Sequence, residues 1–173
     1  YRRQRQMCIR DRIYHEFKEL KLSSLGFGTM RLPLIPGGGE QDIDQETLDR
    51  MVDCAIAGGV NYFDTAYPYH GGCSELAIGK SLARYPRESF YLADKFPGHQ
   101  IVQGVKKLDP ETVFEEQLRK CGVEYFDFYL LHNINEHSMS YYGNPENKYL
   151  DYFLEQKANG RICLLYTSPS PRD

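Results

Sequence analysis

Short apolar runs alternate with amphipathic stretches along most of the chain. Runs rich in aromatic and aliphatic residues cover residues 60–63, 90–93 and 125–131. This length and composition are typical of strands that are buried on both faces in a parallel sheet. The stretches between them carry apolar residues at helical spacing, so the pattern predicts a repeated strand–helix unit.

Capping residues mark where the predicted helices begin and end. Asp44 and Asp109 are predicted N-caps, a second helix starts near Ser74, and a fourth covers residues 149–157. Glycines follow the first and third helices, at Gly58 and Gly122, as expected for helix ends. The predicted buried positions of the first three helices are Leu48, Met51, Val52, Ala55 and Ile56; Leu76, Ile78 and Leu82; and Val113, Phe114, Gln117, Leu118 and Cys121.

Four further segments complete the predicted order. Residues 13–23 are expected to form a hairpin that turns at Lys18 and Glu19, and residues 25–30 a first buried strand. A loop follows residue 132, and Ile162 opens a fifth strand. A complete barrel of such units needs eight of them and about 250 residues, so this pattern covers about half of one.

Both ends of the chain differ in composition from the rest. Residues 1–12 are strongly basic, and residues 163–173 form a polar tail with two prolines. One DNA encoding of residues 7–11, read on the opposite strand in a shifted frame, encodes residues 164–167, so both ends resemble a translated transposase adapter. We expect residues 1–12 and 163–173 to be non-native and residues 13–162 to be the biological segment.

The segment between these ends is acidic. The ends carry six of the 21 basic residues and two of the 24 acidic ones, which changes the net charge from −3 to −7. This charge argues against nucleic acid as a partner. Cys54, Cys73 and Cys121 are isolated, which predicts a reducing compartment, no disulfide framework and no zinc site. No apolar run is long enough to span a membrane, so the predicted location is the cytoplasm.

Four polar residues occupy positions where chemistry is expected. Asp64, Lys95 and His132 each end an apolar run, and Tyr69 comes five residues after Asp64. Ionisable groups at the ends of buried strands are costly unless they are paired or used in a reaction. Active sites of α/β barrels lie at the carboxyl ends of the strands, which makes these residues candidates for a catalytic site.

The four residue types suit the reduction of a carbonyl group by hydride. Tyr69 is the predicted proton donor to the oxygen, where negative charge develops. Because a free phenol titrates near about pH 10, the ammonium of Lys95 is expected to ease proton loss by stabilising the phenolate. Asp64 is expected to hold Lys95 charged and oriented, and His132 to orient the substrate oxygen.

Four motifs, at residues 25–33, 63–75, 92–98 and 126–133, contain the candidate residues. In content, spacing and order they resemble motifs of the aldo-keto reductases, and the resemblance covers essentially all of residues 13–162. It implies that Asp64, Tyr69, Lys95 and His132 form a catalytic tetrad. It also implies an α/β fold, a TIM (β/α)8 barrel, truncated here after about four βα units.

The resemblance further implies a nicotinamide cofactor, usually NADPH, and leaves NADH open. Gly28, Thr29 and Met30, at the end of the first predicted strand, and Asp64 are the candidates for contact with it. The expected substrate is a small aldehyde or ketone of unspecified identity. Two of the motifs are also similar to those of longer bacterial members with an iron–sulfur carboxyl extension, a region that lies beyond residue 162.

Other interpretations stay open. Taken singly, each candidate residue is more simply a strand cap, a surface lysine, a core histidine or a loop tyrosine. His70 has no second ligand at a suitable spacing, so no metal site is predicted. A Schiff-base aldolase would use Lys95 as its nucleophile, and a non-catalytic cofactor-binding or regulatory subunit of the same fold is the main alternative. Alone, the truncated chain is predicted to be inactive and prone to aggregate, because an open half-barrel leaves strand edges unpaired.

Overall fold

The computed structural model describes residues 13–98, 100 and 108–167. The strands in these ranges are β1 (Tyr14–Phe17), β2 (Leu20–Ser23), β3 (Phe27–Gly28), β4 (Tyr62–Asp64), β5 (Tyr91–Phe96), β6 (Phe126–Leu131) and β7 (Ile162–Thr167). The α-helices are α1 (Gln45–Ala57), α2 (Ser74–Leu82), α3 (Pro110–Cys121), α4 (Glu136–Tyr142) and α5 (Tyr149–Ala158). Single 3₁₀ turns occur at Tyr69–Gly72, Arg87–Ser89 and Pro145–Asn147.

The strands β1 and β2 form the predicted hairpin. They pair antiparallel, and Lys18 in the turn adopts a left-handed conformation with a φ of 55°. Asn61 ties this hairpin to the start of β4: its side-chain oxygen accepts from the Ser23 amide at 2.8 Å, and its side-chain amide donates to the Lys21 carbonyl at 2.8 Å. The hairpin is therefore fixed at the amino end of the main sheet.

The main sheet has five parallel strands whose spatial order, β3-β4-β5-β6-β7, is their order in the chain. At least one helix follows each strand from β3 to β6. Neighbouring parallel strands joined through helices are the repeating unit of an α/β barrel. The predicted fold, the first part of a TIM barrel, is confirmed.

Alternation along the strands separates two faces of this sheet. Toward the helices, Phe96 and Tyr129 pack against Phe153 with ring centroids 5.1 and 4.9 Å apart, and Phe114 lies 5.1 Å from Tyr129. This layer forms the hydrophobic core, which continues to Leu48 on α1. The opposite, inner face carries Asp64 and Lys95 at the carboxyl ends of their strands.

The predicted helix caps are confirmed. Asp44 accepts from the Thr47 amide at 3.0 Å, and Asp109 accepts from the Thr112 amide at 2.8 Å. Gly122 ends α3 in a left-handed conformation, with a φ of 67°. These local signals fix the starts of α1 and α3, so the chain returns to the sheet at defined points.

Some sequence expectations were wrong in detail. The strand expected over residues 25–30 shrinks to Phe27–Gly28, because within the described sheet β3 is an edge strand with β4 as its one partner. The stretch after residue 132, expected to be a loop, contains α4, where Asn135 and Ser138 form a reciprocal capping box. Met51 and Leu76, expected to be buried, are exposed, since among the described residues no element covers that side of α1 or α2.

The last strand extends beyond residue 162, where the resemblance to the family ends. β7 runs from Ile162 to Thr167 and pairs in parallel with β6, with Leu131 opposite Thr167. Residues 163–167, which the sequence assigns to a non-native tail, therefore take part in the sheet. No helix in the described part of the chain is long and apolar enough to cross a membrane.

Candidate active site

The carboxyl ends of β4, β5 and β6 bring the predicted site residues together. Asp64 is the last residue of β4, Lys95 lies one residue before the end of β5, and His132 directly follows β6. Ala93 on β5 and Leu130 on β6 face the inside of the sheet. Lys95 lies two residues after Ala93, and His132 lies two residues after Leu130. Since alternate residues of a strand share a face, all three side chains point to the inside of the barrel.

The Lys95 ammonium lies at the centre of the site. It donates to Asp64 Oδ1 at 2.5 Å, to the Thr65 carbonyl at 2.8 Å and to the Tyr69 hydroxyl at 3.3 Å. The Lys95 side chain is 9% exposed and that of Asp64 is 27% exposed. A lysine this buried needs a counter-ion and full hydrogen bonding, and Asp64 and Thr65 supply both.

Tyr69 reaches the site from a tight turn. It begins the 3₁₀ turn Tyr69–Gly72, in which His70, Gly71 and Gly72 all have positive φ and reverse the chain. The Tyr69 ring lies edge-on to the His132 ring, with centroids 5.9 Å apart. The structure thus brings all four predicted residues to one place, with three of them in direct polar contact.

Three hydroxyl groups behind the site hold this loop in position. Ser74 donates to the Thr29 hydroxyl at 2.7 Å and lies 3.0 Å from the Thr65 hydroxyl. Thr29 in turn donates to the Asp64 carbonyl at 3.0 Å. All three hydroxyl side chains are buried, so they fix the backbone on either side of Asp64. Nothing in the sequence pattern marks Thr65 or Ser74 for this role.

The cofactor-contact candidates have different environments. Gly28 lies opposite Asp64 in the β3–β4 register, and a Cβ atom added there would meet nothing within 4 Å. Met30 is exposed, whereas Thr29 is fully buried and its hydroxyl is used inside the protein. Open space opposite Asp64 is therefore available at Gly28, Met30 is exposed two residues further on, and the Thr29 side chain points into the protein.

His70 is a structural residue of the turn. Its Nε2 accepts from the Leu32 amide at 2.8 Å, so the ring proton is on Nδ1, which donates to the Glu40 carbonyl at 2.8 Å. Both ring nitrogens are therefore occupied by backbone groups. In the described ranges, no group of three or more His, Cys, Asp or Glu side chains could hold a metal ion.

A cavity of about 580 Å³ lies on the inner face beside the hairpin. Its walls are mainly apolar and include Phe17, Tyr62, Phe128, Leu130 and Tyr166. The four candidate residues do not line it. It is the open interior of the half-barrel, whereas the four polar candidate residues lie at the carboxyl end of the sheet.

The arrangement can donate a proton to an oxygen atom at the open end of the sheet. A phenol hydroxyl that contacts a buried ammonium provides the proton, and the ammonium stabilises the phenolate that remains. An imidazole beside the phenol provides a second polar group for the same oxygen. These are the components that general acid catalysis at a carbonyl requires.

Comparison with known proteins places this geometry in context. The model of the Aldo/keto reductase family matches residues 24–162. A probable aldo-keto reductase 1 from Glycine max is 32% identical over 120 residues, which are 66% of this chain and 34% of that protein. The NADH-specific methylglyoxal reductase of Escherichia coli is 30% identical over 131 residues, 66% of this chain and 39% of that protein.

Solved structures give the same result. A thermostable aldo-keto reductase crystallised with the inhibitor epalrestat superposes with a TM-score of 0.69 at 27% identity, over 92% of this chain and 55% of that one. The chain thus spans between a third and two fifths of the length of the two curated relatives and about half of the solved structure.

Proposed function

The chain belongs to the aldo-keto reductase family, and on that basis we propose that it is the amino-terminal part of a reductase that uses a nicotinamide cofactor to reduce small aldehydes or ketones. The observation that carries the proposal is the contact of the Lys95 ammonium with both Asp64 and the Tyr69 hydroxyl. A buried lysine that contacts a tyrosine hydroxyl can stabilise the phenolate that forms when the tyrosine gives up its proton.

Each residue has a distinct part in the proposed reaction. Tyr69 gives its hydroxyl proton to the carbonyl oxygen as negative charge develops there. Lys95 stabilises the resulting phenolate, and Asp64 keeps the ammonium charged and in place. His132, on the far side of the Tyr69 ring, hydrogen-bonds the same oxygen and orients the carbonyl group.

A bound nicotinamide supplies the hydride, and the residues present fit such a group. The open space beside Gly28 and the exposed Met30 lie next to Asp64, at the same end of the sheet as Tyr69. We propose that Gly28, Met30 and Asp64 contact the cofactor directly, and that Thr29, whose amide and hydroxyl both donate to the Asp64 carbonyl, holds this strand end in position. NADPH is the proposed form, and NADH, which the Escherichia coli relative is named for, is the alternative to be tested.

The test is the substitution Tyr69→Phe in the full-length protein, which removes the proton donor and keeps the ring. We expect kcat for aldehyde reduction to fall by about 10²–10⁴-fold, the usual contribution of a general acid. Tyr67→Phe is the matched control, because Tyr67 lies on the same loop and its hydroxyl contacts Glu116 outside the site. Undiminished turnover in Tyr69→Phe would exclude the role proposed for Tyr69.

Two alternatives give different outcomes. A Schiff-base aldolase needs a lysine nitrogen that is free to attack a carbonyl group, whereas the Lys95 nitrogen is paired with Asp64 at 2.5 Å. Borohydride trapping of a substrate on Lys95 would support the aldolase. A non-catalytic cofactor-binding or regulatory subunit would bind NADPH and show no turnover on a panel of aldehydes and ketones.

The chain by itself is proposed to be inactive. The edge strands β3 and β7 each lack a partner on one side within the described sheet, and exposed edges favour association. We expect the isolated chain to aggregate and to lack reductase activity. A soluble monomer with a cooperative thermal transition, seen by light scattering and circular dichroism, would contradict this expectation.

A further inference from the structure

A second carboxyl group lies directly behind the proposed site. Asp94 precedes Lys95 on β5 and points the opposite way, into the layer between sheet and helices, where it is fully buried. Its Oδ1 accepts from the Lys95 amide at 2.7 Å. Asp94 therefore touches the backbone of Lys95, whereas Asp64 touches its side chain.

Glu75 on α2 is also fully buried and lies within hydrogen-bonding reach of the Asp94 carboxyl group. Its Oε1 accepts from the Gln117 side-chain amide at 3.0 Å, and its Oε2 accepts from the Lys120 ammonium at 3.1 Å. Gln117 also donates to the Lys95 carbonyl at 3.2 Å. The two carboxyl groups and Gln117 thus form one network around the Lys95 peptide groups.

On the side of β5 that faces β4, this network replaces the missing strand partner of Lys95, whereas on the other side β5 stays paired with β6. Regular pairing of β4 with β5 ends at Asp64 and Ala93, and the Thr65 amide makes the last bond to the Ala93 carbonyl. Beyond it, the N–H and C=O groups of Lys95 bond to the side chains of Asp94 and Gln117. Buried peptide groups require such partners. The side chains of Asp94 and Gln117 therefore fix the backbone position from which the Lys95 side chain extends.

The charges around the pair do not balance if both carboxyl groups are ionised. Lys120 is shared between Glu75 and Glu116, and Lys95 is paired with Asp64. Cys121 and Tyr129 are buried beside the pair and neutral, since burial raises the pKa of both well above the ordinary values. Two adjacent carboxylates in a dry site retain one proton.

The contacts of Glu75 favour the proton on Asp94, because Glu75 accepts from the Lys120 ammonium and from the Gln117 side-chain amide. Burial raises the pKa of both carboxyl groups, and the neighbouring Glu75 raises that of Asp94 further, whereas the Lys120 ammonium favours ionised Glu75. A protonated Asp94 can donate to Glu75 through one oxygen and accept the Lys95 amide through the other. This arrangement gives every polar atom of the pair a partner.

We propose that Asp94 and Glu75 share a single proton at neutral pH and that, with Gln117, they are positioning residues that hold Lys95 at the proposed proton-transfer site. The role of these residues in positioning Lys95 rests on the proposed function, whereas the proton shared by Asp94 and Glu75 does not. Asp94 acts as a neutral hydrogen-bonding group in this assignment, although a position next to a catalytic lysine suggests a charged one.

The test compares two substitutions of Asp94 in the full-length protein. Asp94→Asn keeps one acceptor for the Lys95 amide and one donor for Glu75, so it reproduces the protonated acid. Asp94→Leu has a similar size and neither group. We expect kcat to stay within about 2-fold in Asp94→Asn and to fall about 10-fold or more in Asp94→Leu with KM little changed, because small displacements of a catalytic group are costly.

Infrared spectroscopy at neutral pH provides a readout that needs no activity. The wild-type protein is expected to show the C=O stretching band of a protonated carboxylic acid, and Asp94→Asn to lack it. Absence of the band in the wild type, or a large loss of kcat in Asp94→Asn, would overturn the shared proton. An unchanged kcat in Asp94→Leu would overturn the positioning role. If Tyr69→Phe shows that the proposed function is wrong, the infrared result still decides whether Asp94 and Glu75 share a proton.

Discussion

The Lys95 ammonium lies 2.5 Å from Asp64 Oδ1, although the two residues are 31 positions apart and belong to different strands. The pair joins the ends of β4 and β5, where their backbone pairing has stopped. It therefore has a structural role as well as the proposed catalytic one, and the two roles are separable by measurement.

The ion pair of Lys95 and Asp64 is expected to stabilise the fold mainly by avoiding an unmatched buried charge. Asp64→Asn alone should lower the free energy of unfolding by about 3–5 kcal/mol, because Lys95 is left without its counter-ion. The double variant Asp64→Asn with Lys95→Met should be more stable than Asp64→Asn. Chemical denaturation of the full-length protein measures both, and Glu46→Gln, in the exposed pair with Arg50, is the control. Additive effects would contradict the prediction.

His70 is expected to anchor the loop of residues 32–40 to the turn Tyr69–Gly72. His70→Ala removes the partner of the buried Leu32 amide, and an unsatisfied buried donor costs about 1–3 kcal/mol. We expect a loss of stability of this size and faster hydrogen exchange at the Leu32 amide. The control is His137→Ala, since His137 is exposed on α4. Unchanged exchange at Leu32 would show that the loop is held by other contacts.

The buried carboxyl pair predicts a pH dependence with a definite sign. Burial raises the pKa of Asp94 and Glu75 above their ordinary values of 3.8 and 4.5. Carboxyl groups of this kind contribute stability below the ordinary pKa, and the contribution is lost as the pH rises through the raised value. The wild type should therefore lose stability relative to Asp94→Asn as the pH rises above the ordinary carboxyl range. A difference in unfolding free energy that does not vary with pH would contradict this.

Gly28 and Gly79 lie in opposite environments. Gly28 borders open space at the proposed cofactor site, whereas Gly79 lies in the contact between α2 and α3. A Cβ atom at Gly79 would lie 2.6 Å from the Cys121 carbonyl oxygen, so Gly79→Ala should push α2 away from α3 and cost about 1–3 kcal/mol. Gly28→Ala meets open space and should not lower stability, but should raise the Kd for the cofactor in the full-length protein. Thermal denaturation and cofactor titration separate the two effects. Unaltered cofactor affinity in Gly28→Ala would remove Gly28 from the proposed contact surface.

The fold was predictable where local signals are strong. The caps Asp44 and Asp109 define the starts of α1 and α3, and apolar runs define β4, β5 and β6, because hydrogen bonding of a cap and burial of a strand depend on nearby residues. Helix α4 was missed because its only clear signal is the capping box of Asn135 and Ser138. Met51 and Leu76 were placed wrongly because helical periodicity cannot show which neighbours a face will meet.

For the candidate site, the sequence alone placed Asp64, Lys95 and His132 at the ends of apolar runs and Tyr69 five residues after Asp64, since order along the chain suffices for that. Only the tertiary structure decided what surrounds them. The contacts of Asp94 with Glu75, of Gln117 with the Lys95 carbonyl and of His70 with Leu32 join residues 19 to 38 positions apart. Such contacts arise from the way helices lie on the sheet, and that packing sets both the burial and the protonation of the groups behind Lys95.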